Sequence, residues 1–294
     1  MNTENTQNTN PLSRYFRKPA IYITLPSGGM FMSAESIKFD NEDAKELAVY
    51  PMPARDEMTF NTPDALLSGQ STVDVIQSCV PGIKNCWELS SIDLDTVIIA
   101  IRIASYGENM SVSSPVPNTK ESVDVQVDLR QSLERIDNIK FNAHLQIDNN
   151  LSVQVKPNNY RQLTNLQLKA FEEQRLVQQI AKADDMDPKE RDERYNSVFR
   201  NMTNLTLSNM IDSIASFTLD TETIVDRSQI NEFVNNMDAG MATKIKKHIE
   251  SQSKIGKMKP IEIAGTADQI KEGAPEKWEQ PVALDNSNFF ASKS

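Results

Sequence analysis

The stretch DLDTVIIAIRIASYG, residues 93–107, decides the fold. Leu94, Val97, Ile98, Ile101 and Ala104 recur at the three- and four-residue spacing of one helix face, and Ile99 and Ile103 supply a second. A helix that is apolar on more than one side belongs inside a core. The spacing predicts a helix over 92–105, with Ser90 and Asp93 set as a capping box and Gly107 placed to stop it. Residues 97–101 form the longest apolar run in the chain, five residues against the roughly twenty that cross a bilayer, so no stable membrane insertion is expected. Arg102 ends that run. A guanidinium there must reach the helix surface or find an internal partner, which makes Arg102 a candidate partner contact.

On the N-terminal side, IYITL, a Pro-Ser-Gly-Gly turn at 26–29 and MFMSAESIKF read as strand, turn, strand over 21–39. Thr62 and Pro63 then open one short helix, and Val73, Ile76 and Val80 mark another. On the C-terminal side, Met110 and Val112 lead through the prolines at 115–117 to Val123, Val125 and Val127, which alternate as in a half-buried strand. A short helix over 129–136 follows. A second hairpin, 141–147 with 151–155, is joined by Asp148, Asn149 and Asn150.

Beyond Pro157 the pattern becomes helical, with no glycine between 163 and 217. Asp187 before Pro188 caps one helix, and Val198, Phe199, Met202, Leu205, Met210, Ile211, Ile214 and Phe217 read as its apolar stripes. One or two shorter helices are expected over 228–256. The fold class is therefore α+β. Its expected parts are a flexible arm over 1–19, a mixed strand-hairpin and helix domain over 20–160, a mainly helical region over 161–256 and an extended segment over 257–294. Both termini hold too few apolar residues to order themselves, yet the last segment contains Phe289 and Phe290. Two adjacent rings near a free end suit docking, either in the chain's own core or on a partner.

The 294 residues carry 31 Lys and Arg against 41 Asp and Glu, a formal charge of −10. Such a chain lacks the basic surface that phosphate neutralisation requires, so no nucleic-acid partner is expected. Nine glycines leave little material for phosphate-binding loops. Cys79 and Cys86 flank a Pro-Gly turn and read as buried thiols in a reducing cytoplasm, and His144 and His248 are too distant in sequence to complete a zinc set with them. No metal or cofactor is expected. No serine or cysteine stands in a nucleophile motif with a usable histidine. The carboxylate pairs Asp93 with Asp95 and Asp184 with Asp185 could in principle serve glycoside hydrolysis, although a helix start accounts for the first pair and a loop for the second. Met30, Met32, Met52 and Met58 read as core filling or an adaptable contact surface. No catalytic residue is expected.

Five motifs occur in succession: LPSGG at 25–29, ELAVYPMPARDE at 46–57, PDALLSG at 63–69, VIQSCVPGI at 75–83 and the helix at 93–107. In this order they resemble the baseplate hub protein family of T-even-like contractile-tailed bacteriophages, most densely over residues 20–160, and LDNSNFF at 284–290 is similar to the ending of these proteins. The resemblance implies a non-enzymatic role in building the central hub, as a component or assembly chaperone. It implies other baseplate hub or tail proteins as partners, with the host cytoplasm during assembly and the virion tail baseplate as locations. A cell-wall hydrolase carried by the hub and a host-cell adaptor are the rival readings. Some relatives carry Cys-Pro-x-Cys after the Tyr-Gly turn. This chain has Ser-Pro-Val-Pro at 114–117, so the resemblance carries no metal with it.

Overall fold

The computed structural model describes residues 11–60, 69–136, 140–183 and 186–282. Two apolar cores organise them.

The first core surrounds the helix expected from residues 93–107. It spans Leu94–Tyr106 and ends on Gly107, whose N–H reaches Ile103 O at 2.9 Å. Val97, Ile99 and Ile101 are fully buried. Strands β1 (Ile21–Thr24) and β2 (Glu46–Val49) pair antiparallel over it, with Ile21 opposite Val49. Helices α1 (Ala54–Phe60) and α2 (Gln70–Cys79) precede the central helix, which becomes α3. The strand expected over 30–39 is corrected here. That segment is a series of turns, and β1 takes its partner from 46–49. Gly28 and Gly29, with φ of +61° and +77°, turn the chain away from β1 instead of returning it in register. The helix from Pro63 lies outside the described residues.

The expected capping box is also corrected. Asp93 is the N-cap of α3, but its side chain makes no cap bond. Its Oδ1 accepts from Ser27 N at 2.8 Å and its Oδ2 from Ser27 Oγ at 2.5 Å, so the carboxylate ties the 25–29 turn to the helix start.

Strands β3 (Asn109–Pro115) and β4 (Ser122–Asp128) form the hairpin expected from the valine alternation, with Val112 opposite Val125. Helix α4 (Leu129–Ile136) packs beside α3 and buries Leu129 and Ile136.

The second core lies under a four-stranded antiparallel sheet in the order β5 (His144–Gln146), β6 (Leu151–Val155), β7 (Ile214–Leu219), β8 (Glu222–Ile224). Ile214 and Phe217 therefore lie in a strand rather than in the helical stripes expected for them. Val153, Ile214, Ile230 and Ile245 are fully buried there. The sheet draws strands from both sides of residue 160. Between β6 and β7 run α5 (Tyr160–Lys182) and α6 (Pro188–Ser213). Asn159 and Gln162 form a reciprocal capping box on α5, and Asp187 accepts from the N–H groups of Lys189 and Glu190 at the start of α6. Helices α7 (Arg227–Asn236) and α8 (Ala239–Ser253) close the second core.

From residue 257 the chain forms a further small hairpin. Strands β9 (Ile261–Ala264) and β10 (Lys277–Gln280) pair antiparallel around the short α9 (Ala267–Lys271). Trp278 Nε1 donates to Ser114 Oγ at 3.0 Å, and Ser114 Oγ donates to Gln280 Oε1 at 2.9 Å, which docks this hairpin on β3. Ser114 thus links the two hairpins by hydrogen bonds.

Candidate functional site

The sequence-derived site residues are dispersed. Arg102 is buried on α3, with its guanidinium stacked 4.7 Å from the Tyr106 ring centroid. Tyr106 donates its hydroxyl to Glu57 Oε1 at 2.8 Å, and burial, reinforced by that carboxylate, pushes the phenol up to about 12. Arg102 Nε and Nη1 have no hydrogen-bond partner among the described residues, and burial lowers the guanidinium's pKa from its ordinary value. A desolvated cation with two unanswered donors is costly to keep. Phe289 and Phe290 lie outside the described residues.

The carboxylate pair of α3 does not converge. Asp93 faces Ser27, and burial raises its pKa to about 6 against the lowering effect of the Ser27 bonds. Asp95 accepts instead from Lys257 Nζ at 2.7 Å and Met258 N at 3.0 Å. Asp184 and Asp185 lie outside the described residues. His144 Nε2 sits 3.3 Å from Gln146 Oε1 on the exposed face of β5, and His248 Nε2 donates to Asn142 O at 3.0 Å. Cys79 and Cys86 are buried free thiols, both pushed up to about 12 by burial and so poor nucleophiles at neutral pH. Among the described residues no group of three or more His, Cys, Asp or Glu side chains could hold a metal ion. No helix among them is long and apolar enough to cross a membrane.

The methionines divide. Met32 is buried and Met52 packs against the first core, while Met30 and Met58 are exposed.

Several of the exposed large apolar side chains lie on one helical hairpin. Helices α5 and α6 form an antiparallel pair of 23 and 26 residues, the longer about 39 Å in length. Each buries only three side chains: Tyr160, Thr164 and Ile180 on α5, and Val198, Met210 and Ser213 on α6. Phe199 is 62% exposed and Phe171 53%, with Leu176 and Met202 also in solvent. Phe199 and Met202 lie on the helix whose apolar stripes were read from the sequence, and the fold leaves both in solvent. A two-helix arm has one seam, so residues on its outer faces have nothing to pack on among the described residues. A groove of about 370 Å³, lined by Leu166, Ala170, Met202, Leu205 and Ile249, runs between this arm and α8. The arm and groove together present a large exposed apolar surface.

A family model described as T4 bacteriophage base plate protein matches residues 24–267. The chain belongs to this family. The match runs from the end of β1 through both cores to the start of α9. No curated protein and no solved structure matches the chain. A base plate protein acts among other base plate proteins, in the tail of the virion. The exposed apolar side chains of α5 and α6 lie within the matched residues. Periodicity alone did not reveal them, because it marks apolar faces without saying which of them the fold covers.

Proposed function

We propose that this base plate protein is a non-enzymatic part of the machinery that builds the central hub, as a hub component or its assembly chaperone. It works in the host cytoplasm during assembly and contacts other hub or tail proteins, with no nucleic acid and no stable membrane insertion. The observation that carries this reading is the two-helix arm with Phe171, Phe199 and Met202 in solvent, on a chain whose family spans both cores. The ordered motifs at 25–29, 46–57, 75–83 and 93–107 support the hub in particular, since they all border the first core. Arg102 is a second proposed contact, because a partner carboxylate or carbonyl would answer its bare Nε and Nη1. Hydrolysis of cell wall finds no support in α3, whose two carboxylates serve separate structural partners.

The arm is tested by Phe171→Ser together with Phe199→Ser in the full chain. Melting should stay within a few degrees of the parent, since both rings are already in solvent, while co-purification with hub intermediates from infected cells should fall at least tenfold. Unchanged co-purification would remove the arm from this role.

A further inference from the structure

Among the described residues, strand β1 has a partner on one side only. Hydrogen bonds fix which of its backbone groups face the other way. On β2, Ala48 N donates to Asp40 Oδ2 at 2.8 Å, Glu46 O accepts from Asp40 N at 2.9 Å and Glu46 N donates to Asn41 O at 3.1 Å, so residues 46 and 48 point away from β1. Their register partners are Thr24 and Tyr22. In an antiparallel ladder, residues opposite one another in a non-hydrogen-bonded pair both turn their N–H and C=O outward. Tyr22 and Thr24 therefore present two donors and two acceptors on an unpaired edge, and no bond from a described residue meets them.

That edge borders a groove of about 270 Å³. Ile103 of α3 and Leu133 of α4 supply apolar lining. Thr96 also lines it; this side chain is 2% exposed, and its Oγ1 has no hydrogen-bond partner. A buried hydroxyl without a partner beside an unpaired strand edge marks a place where polar groups are missing. The charge at the groove is negative. Glu46 stands at one end with no ion pair to a described residue, whereas Arg130 on the helix wall is already paired with Glu108.

We propose that the free edge of β1 takes an extended segment of another base plate protein as a third strand. An apolar side chain of that segment sits on Ile103 and Leu133, and a basic one meets Glu46. The backbone edge selects an extended chain, because only another strand matches outward N–H and C=O groups at this spacing. Charge selects a basic segment and disfavours a second copy of a chain that carries −10. The proposal rests on the assembly role given above.

The test uses the full chain and fluorescein-labelled overlapping 15-residue peptides covering the other base plate proteins of the same phage. The chain's own 1–10 and 283–294 segments are included in the set. Anisotropy should show binding by a peptide of alternating apolar residues with a Lys or Arg. Tyr22→Pro removes one outward N–H where an edge tolerates proline, and should weaken binding at least tenfold. Glu46→Lys should weaken it several-fold, with recovery when the peptide's basic residue is changed to Glu. Should Tyr22→Pro unfold the chain, the Glu46 charge swap decides alone. Failure of every peptide to bind, or binding indifferent to both substitutions, overturns the proposal. Binding by 1–10 or 283–294, or a dimer that Tyr22→Pro dissolves, overturns it by placing a different occupant at the edge. If the parent chain enters hub intermediates and Tyr22→Pro enters equally well, the strand addition fails while the assembly role stands. If the parent chain enters none, the assembly role itself fails.

Discussion

Lys257 Nζ lies 2.7 Å from Asp95 Oδ1, and this pair joins the C-terminal segment to the first turn of the central helix. Met258 N holds the other carboxylate oxygen at 3.0 Å. Asp95→Ala removes both bonds and leaves a partly buried ammonium without its partner. We expect a loss of about 1–3 kcal/mol in urea unfolding and faster proteolysis around residues 254–260. A variant as stable and as resistant as the parent would show that the joint contributes nothing.

One residue away in the other direction, Gly256 has φ of +73°, and a Cβ on it would lie 1.8 Å from Ile92 O. Gly273 also has positive φ, at +106°, but a Cβ there would meet nothing within 4 Å. Gly273→Ala should therefore cost only the backbone preference, about 1–3 kcal/mol, whereas Gly256→Ala must also push helix α3 and the C-terminal segment apart. Thermal melting should rank Gly256→Ala clearly below Gly273→Ala. Equal losses would mean that the close approach relaxes freely.

Asp93 gives a pH dependence of defined sign. Its folded pKa of about 6 lies above the ordinary 3.8, so between pH 4 and 6 the folded state holds the proton more tightly than the unfolded state. This contribution to stability is present at low pH, falls as pH rises to about 6 and is flat above that. Its ceiling is about 3 kcal/mol. Asp93→Asn retains an acceptor for Ser27 N and a donor for Ser27 Oγ without the charge. The stability of parent minus variant should rise as pH falls from 6 to 4. A difference independent of pH would contradict the assignment.

Arg102→Met tests whether the bare guanidinium is kept for a partner. Methionine retains the apolar stem and removes a buried cation that lacks bonds at Nε and Nη1. The free protein should be as stable as the parent or gain about 1 kcal/mol, while incorporation into hub intermediates falls. A large loss of stability with normal incorporation would make Arg102 a structural residue.

Long periodic elements and turn chemistry were legible in the sequence. Helix α3, the hairpin β3–β4 with its alternating valines, and the Asp187 cap of α6 follow from spacing that local physics dictates. The edges of the sheets were not. IASFTL at 214–219 follows a helix with no glycine or proline between, and a short apolar run of that length suits either structure until β6 provides a ladder for it. The partner of β1 was equally hidden, since the loop at 40–46 rather than the turn at 26–29 sets the register. Exposure was the least legible property of all. Phe199 and Val198 are neighbours in one helix, yet one is in solvent and the other is in the seam of the arm.

Quantitative mass spectrometry of purified hub intermediates and of finished virions from one infection tests the proposed part of this base plate protein in building the hub. The chain should occur at a fixed ratio to hub proteins in the intermediates. Retention of that ratio in virions marks a component, and its loss marks a chaperone. Absence of the chain from every hub intermediate, with its signal confined to another part of the base plate or to host complexes, would contradict the account.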